Sequence, residues 1–303
     1  TGYRIRVVSS NPTVFGTNNT VDLTVQNSAT ITAQPSTTVQ NLCQGNSATA
    51  LSVTATGTTL SYQWYSNTTA TTSGGTPVGT NSNSYTPVTT TAGTLYYYCV
   101  VSAACGASVT SNVSGAVNVT AIPSAPSGTI NVSANPSCGA ATLTYSAPNA
   151  NIYWQTSATG NLTTNPTTSS YTSSATAGSH TIYVRELNGT CWGPATSITF
   201  TVVAPVNITG QPTNQSATTG NTATFSVTAS NAAGYQWQVN TGSGWANIGG
   251  ATSASYTTPA ATLAMNGYQY QVIVTGNTPC GNVTSASAIL SVTTGPCFTE
   301  DFA

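Results

Sequence analysis

The sequence predicts an all-β chain built from tandem β-sandwich domains. Three observations carry that prediction. Apolar residues alternate with Ser and Thr over short stretches, a set of aromatic and cysteine landmarks recurs in fixed order, and no segment shows a convincing helical period.

The surface chemistry is unusual. The 303 residues include three Lys or Arg, four Asp or Glu and one His, so 2% of the chain is charged and its net charge is -1. A soluble domain normally has roughly 25% charged residues. The cations are all arginines, Arg4, Arg6 and Arg185, too few to neutralise a phosphate backbone, so nucleic acid is excluded as a partner. With 39% hydrophobic residues spread along the chain there is enough apolar material for packed cores. Thr fills about a fifth of the sequence and, with Ser, Asn and Gly, supplies the groups that face water. Hydroxyl-rich, β-branched composition suits strands. No apolar run reaches the roughly 18 to 20 residues of a membrane-spanning helix.

Each repeat is marked three times. Tyr62-Gln63-Trp64 recurs as Tyr153-Trp154-Gln155 and as Tyr235-Gln236-Trp237. Some twenty residues later come Ser84-Tyr85-Thr86, Ser170-Tyr171-Thr172 and Ser255-Tyr256-Thr257. Then Tyr97, Tyr183 and Tyr270 lie in alternating strands, each followed by a loop cysteine: Cys105, Cys191 and Cys280. Ahead of each Trp a period-two strand places Leu51, Val53 and Ala55, then Leu143, Tyr145 and Ala147, then Ala223, Phe225 and Val227 on one face. After the last loop cysteine the alternation returns as Ala286, Ala288, Leu290 and Val292.

These residues resemble immunoglobulin-like sandwiches in an extended array. The early strand, the strand with a central Trp and the Tyr two residues before a core position (Tyr97 before Cys99, Tyr270 before Val272) match strands B, C and F and the tyrosine corner of that fold. By that match Trp64, Trp154 and Trp237 are core residues, and Tyr97, Tyr183 and Tyr270 are buried with their hydroxyls bonded to backbone. Val53 stands where an antibody-type domain has its first cysteine, leaving Cys99 without the usual partner. The segments Leu95-Tyr96-Tyr97-Tyr98-Cys99, Gly189-Thr190-Cys191-Trp192, Ile31-Thr32-Ala33-Gln34-Pro35 and Ile208-Thr209-Gly210-Gln211-Pro212 further resemble the Thr-rich Ig-like repeats of secreted Bacteroidetes surface proteins. That resemblance implies adhesin-like cargo of the type IX secretion pathway. The expected organisation is the last two strands of a truncated domain at 1–28, full domains at 29–121, 122–204 and 205–294, and the start of a further region at 295–303. The partners it implies are flanking domains of the same polypeptide.

The disulfide candidates are Cys43, Cys105, Cys138, Cys191, Cys280 and Cys297. Their wide spacing, with no Cys-x-x-Cys pair and a single His, speaks against zinc and for an oxidising, extracellular location, secreted or attached to a cell surface. In an Ig-like topology Cys43 and Cys138 sit near the A–B turn, and Cys105, Cys191 and Cys280 at the opposite F–G end. A strand of seven residues spans about 23 Å, while a disulfide needs Cα atoms within about 7 Å. One scheme therefore joins successive repeats, Cys43 to Cys191 and Cys138 to Cys280, with Cys105 paired to the missing part of the first unit. The rival keeps each bond local, Cys43 to Cys105 and Cys138 to Cys191. The sequence leaves both open.

No catalytic constellation is present. Asp22, Glu186, Glu300 and Asp301 form no placed pair, and His180 reads as a strand-entry residue with no motif supplying an acid beside it. No cluster of acidic oxygens is placed for calcium, and nothing calls for a metal or a cofactor. Trp192, after a loop cysteine, and Trp245, after Gly-Ser-Gly, are the candidate exposed aromatics. The sequence thus predicts a non-enzymatic structural stalk or adhesin-like segment. A filament or surface-layer subunit, assembling with itself through unguarded β-edges or donor strands, and a carbohydrate-binding module acting on surface glycans are the alternatives.

Overall fold

The computed structural model describes residues 6, 8–10, 13–15 and 25–295. Cys297 and nearly all of the region expected at 295–303 lie outside the described residues, as does most of the truncated domain expected at 1–28. Within the latter, Val8–Ser10 pairs antiparallel with Thr13–Phe15.

The first repeat is a two-layer sandwich. One layer runs in the order Gln40–Cys43, Val117–Thr120, Gly93–Ser102, Ser61–Asn67, Thr76–Val78. Its first pair is parallel, with Cys43 opposite Thr120; the F strand, Gly93–Ser102, and the C strand, Ser61–Asn67, are antiparallel with Cys99 opposite Trp64. Facing it, Thr30–Ala33 pairs with Thr54–Thr56 and Leu51–Ser52 pairs with Ser84–Tyr85. Alternation along these strands brings Leu51, Val53, Trp64, Tyr97, Cys99, Val101, Val117 and Val119 into one core. The chain crosses from the Thr30–Ala33 strand to the Gln40–Cys43 strand over Gly115. A Cβ there would lie 2.4 Å from the Thr37 carbonyl oxygen, so only glycine fits beneath the crossing.

The third repeat reproduces this plan closely. Gln215–Thr218, Ala288–Thr293, Gln269–Gly276, Ala232–Asn240 and Trp245–Asn247 form the larger layer, again with a parallel first pair. The second repeat is leaner: Ser137–Cys138, Cys191–Val203, Gly178–Asn188 and Ile152–Gln155 make one layer, and Ile130–Val132, Thr142–Tyr145 and Tyr171–Thr172 the other. The chain is therefore all-β with tandem immunoglobulin-like sandwiches. Among the described residues the single helical element is a short 3₁₀ turn at Leu263–Met265.

Trp64, Trp154 and Trp237 are 0%, 1% and 0% exposed. Burying ~200 Å² of ring at ~25 cal/mol per Å² contributes about 5 kcal/mol per tryptophan. Tyr97 and Tyr270 are also buried, but Tyr183, expected to be buried with them, is only half-buried. Register is the reason. Trp154 faces Val184, as Trp64 faces Cys99 and Trp237 faces Val272. Counting back two places from each core position gives Ile182, Tyr97 and Tyr270, so Tyr183 points the other way. Ala147 and Ala286, expected on core faces, are exposed because each lies outside its strand.

By its contacts the chain groups into two compact units. One comprises Thr1–Ser124 with Leu187–Gly193, the other Ala125–Glu186 with Pro194–Ala303. The tip of the second repeat's long hairpin thus groups with the first unit.

Candidate functional site

The chemistry of this chain is concentrated in its cysteines. Cys43 closes a strand held in parallel register against Val117–Thr120, and the Gln44 N–H continues that ladder to the Thr120 carbonyl at 2.9 Å. Cys138 occupies the same place in the second repeat, opposite Val203, with the Gly139 N–H donating to Val203 O at 2.9 Å. Each sulfur leaves the end of a pinned strand, which fixes where its partner must be. The bonds that form are Cys43–Cys191, with Cα atoms 5.5 Å apart, and Cys138–Cys280, at 5.0 Å. The local pairings Cys43–Cys105 and Cys138–Cys191 do not occur. Both bonds close long loops, with sequence separations of 148 and 142.

The surroundings of each bond are shaped to receive a turn. Asn188 donates from Nδ2 to the Ala121 carbonyl at 3.0 Å, and a Cβ at Gly193 would lie 2.7 Å from Pro123 O. In the other unit a Cβ at Gly276 would meet the Gly281 carbonyl at 2.6 Å. Cys191 and Cys280 are buried, at 1% and 7% exposure. Their partners are more open: Cys43 is half-buried and Cys138 exposed, so each bond has one sheltered and one more accessible half.

Two thiols are free among the described residues, Cys99 and Cys105. Cys99 is fully buried opposite Trp64, and burial pushes its thiol up to about 11. Cys105 is half-buried in the F–G turn of the first repeat, and its thiol donates to the Gln26 carbonyl at 3.1 Å.

The remaining candidates are structural in their surroundings. His180 donates from Nε2 to the Thr176 carbonyl at 2.7 Å and lies 5.8 Å from the Phe200 ring. Trp192 is half-buried and Trp245 is 38% exposed on the edge strand Trp245–Asn247. A cavity of about 370 Å³ in the second repeat is lined by Trp154, Pro166, Ser169, Tyr171 and neighbouring Thr and Asn residues. It contains no carboxylate, imidazole or amine to move a proton. Among the described residues no three His, Cys, Asp or Glu side chains come together.

Sequence reasoning missed a group of polar side chains that close the sandwich. Gln34 accepts from the Asn112 N–H at 2.8 Å, and its counterpart Gln211 accepts from the Ala286 N–H at 2.9 Å. The signal was present in the repeated Gln-Pro that ends each opening segment. Gln155, 1% exposed, exchanges two bonds with the Leu162 backbone, at 2.7 and 3.0 Å.

Solved structures similar to this chain are strings of immunoglobulin domains. An I-band fragment of titin is 13% identical, covering 88% of this chain and 99% of its own, with a TM-score of 0.42. A three-Ig titin structure carrying an E-to-A variant is 13% identical over 89% of this chain and 100% of its own, with a TM-score of 0.41. Extracellular domains 3-5 of Drosophila OTK are 12% identical over 88% of this chain and 97% of their own, with a TM-score of 0.33. No protein-family model and no curated protein matches the chain. The two disulfides fit an extracellular location, and no helix among the described residues is long and apolar enough to cross a membrane.

Proposed function

We propose that this chain is a non-catalytic structural segment of a secreted cell-surface protein, a stalk of immunoglobulin-like domains at 29–121, 122–204 and 205–294 that carries neighbouring domains of the same polypeptide. The observation that carries the reading is the pair of long-range disulfides. Each ties the end of a pinned strand in one repeat to the F–G turn of the following repeat. A bond in that position does nothing for a reaction; it resists separation of successive repeats. The nearly uncharged, hydroxyl-rich exterior suits a spacer that must avoid binding along its length. The Thr-rich repeats of type IX secretion cargo remain the proposed origin.

Small-angle scattering over a concentration series tests the proposal. Monodisperse elongated particles, unchanged with concentration, are the expected result. Concentration-dependent fibres overturn it in favour of a filament subunit, the reading favoured by the wholly exposed, uncharged edge strand Trp245–Asn247. Glycan binding abolished by Trp245→Ala overturns it in favour of a carbohydrate-binding module.

A further inference from the structure

Cys105 sits at a position that its counterparts in the next two repeats use for disulfides. Cys191 and Cys280 follow the F strand of their repeats as Cys105 follows Gly93–Ser102, and both are bonded to the cysteine that ends the preceding repeat's parallel first strand. The seat around Cys105 is the same as well. Its sulfur lies 3.1 Å from the Gln26 carbonyl, and the Cys280 sulfur lies 3.6 Å from the Val203 carbonyl. Gln26 and Val203 are equivalent, each five residues before the isoleucine, Ile31 or Ile208, of the next opening strand. Val203 is the residue opposite Cys138, and Thr120, at the end of the corresponding strand one repeat earlier, is opposite Cys43. The position of Gln26 is thus the one against which a cysteine-terminated strand is laid in both stapled repeats.

A second observation is independent of sulfur. Val25 is 65% exposed, whereas Val202 and Val119, the residues just before Val203 and Thr120, are 2% and 8% exposed. Val25 holds the place of those two buried valines and is itself exposed. The turn side of the seat is already assembled. The Asn27 N–H donates to Thr58 Oγ1 at 2.8 Å, Thr58 N–H returns to Asn27 O at 2.9 Å, and Ala104 N–H donates to Thr58 O at 2.9 Å.

We infer that Cys105 is one half of a third inter-repeat disulfide, whose other half is a cysteine ending a parallel strand laid beside Val25 and Gln26 by a preceding repeat of the same kind. The bond forms by thiol–disulfide exchange with a donor disulfide. The Cys105 thiolate attacks the donor, giving a mixed disulfide and releasing one thiol; the partner thiolate then displaces the second donor sulfur. Two protein thiols are oxidised, one donor disulfide is reduced to two thiols, and two protons are lost from the protein. The inference stands on repeat equivalence and not on the stalk role, so fibres in scattering would leave it intact.

Non-reducing peptide mapping of the protein recovered from its natural source tests it. The expected product is a Cys105 peptide cross-linked to a cysteine outside residues 1–303, within a segment that reads as strand and precedes an apolar alternating run. A free Cys105 thiol overturns the inference. So does a bond from Cys105 to Cys297, or a Cys105–Cys105 bond between two copies. A Cys105→Ser variant separates folding from bonding: it keeps the Cys43–Cys191 and Cys138–Cys280 peptides and loses only the cross-link to the outside segment. Loss of all three would mean that Cys105 acts on folding, and would also overturn the assignment.

Discussion

The indole N–H of Trp64 donates to the carbonyl of Ser82 at 3.0 Å, from the middle of one sheet to the loop that delivers the opposite one. Trp154 makes the same bond to Ser169 and Trp237 to Ser253, each also at 3.0 Å. A buried tryptophan brings one polar atom into an apolar core, and that atom must find a partner. Here the partner is the loop entering the strand that carries Tyr85, Tyr171 or Tyr256. The ring then stacks or tilts against that same tyrosine, with centroids 6.3, 5.8 and 6.2 Å apart. One side chain therefore sets both the spacing of the layers and the entry of the tyrosine-bearing strand.

Replacing Trp237 with Phe removes the donor and leaves Ser253 O unpaired beside a gap. We expect a loss of about 2 to 4 kcal/mol, from the unsatisfied carbonyl and the cavity together. Urea denaturation followed by tyrosine fluorescence measures it. A loss below about 0.5 kcal/mol would mean that water replaces the indole at no cost.

Gln211→Leu keeps the side-chain size and removes the acceptor for Ala286 N–H. A loss of about 0.5 to 1.5 kcal/mol is expected, at the low end of the range because the bond is partly open to solvent. Gln211→Glu, which retains an acceptor oxygen, should restore most of it. Equal losses in the two variants would assign the effect to packing instead.

The core tryptophans are legible in the sequence because Trp is rare and its spacing repeats. Tyr183 misleads because matching Tyr153-Trp154-Gln155 to Tyr62-Gln63-Trp64 by their tyrosines slips the register by one, and a slip of one turns a strand over. Ile182, not a tyrosine, holds that core position in the second repeat. The repeated Gln-Pro marks Gln34 and Gln211 in the sequence but not what they bond. Their acceptor role depends on where the final strand begins, a tertiary fact that no local pattern encodes. The bonds Cys43–Cys191 and Cys138–Cys280 are one of two open schemes in the sequence because sequence carries no distance; parallel pairing at Thr120 and Val203 places the sulfurs.

Cys99 should resist alkylation while the fold is intact. With its thiol pushed up to about 11 by burial, about a thousandth is ionised at pH ~8, and none of the sulfur is exposed. Iodoacetamide and mass spectrometry on the native 303-residue chain should therefore modify Cys105 first and reach Cys99 only after denaturant is added. Equal labelling of the two in native buffer would contradict the buried placement.

Removing Cys138–Cys280 by the double change Cys138→Ser and Cys280→Ser should lower stability substantially. Closing a loop of this length restricts the unfolded chain by about 5 kcal/mol at most, and native relaxation reduces the observed value. Calorimetry should show the second and third repeats melting earlier, while a melting temperature unchanged by the substitutions would mean that the bond adds no thermodynamic constraint.

Alkali should unfold this chain more readily than acid. Tyr97 and Tyr270 are pushed from the ordinary value of 10.0 up to about 12, first by burial and then by neighbouring tyrosines, Tyr85 beside one and Tyr256 and Tyr268 beside the other. Folding thus favours the protonated phenol. Between about pH 10 and 12 the unfolded chain releases these protons and the folded chain keeps them, so stability is full below about 10 and falls as pH rises through the folded values. Every tenfold difference in proton affinity between the folded and unfolded chain is worth about 1.4 kcal/mol. On the acid side four carboxylates and one imidazole in the whole chain leave little to titrate. The melting temperature should stay nearly level from about pH 4 to 9 and drop steeply above about 10. A fall of comparable size below about pH 4 would show that a carboxylate among those four holds the fold together.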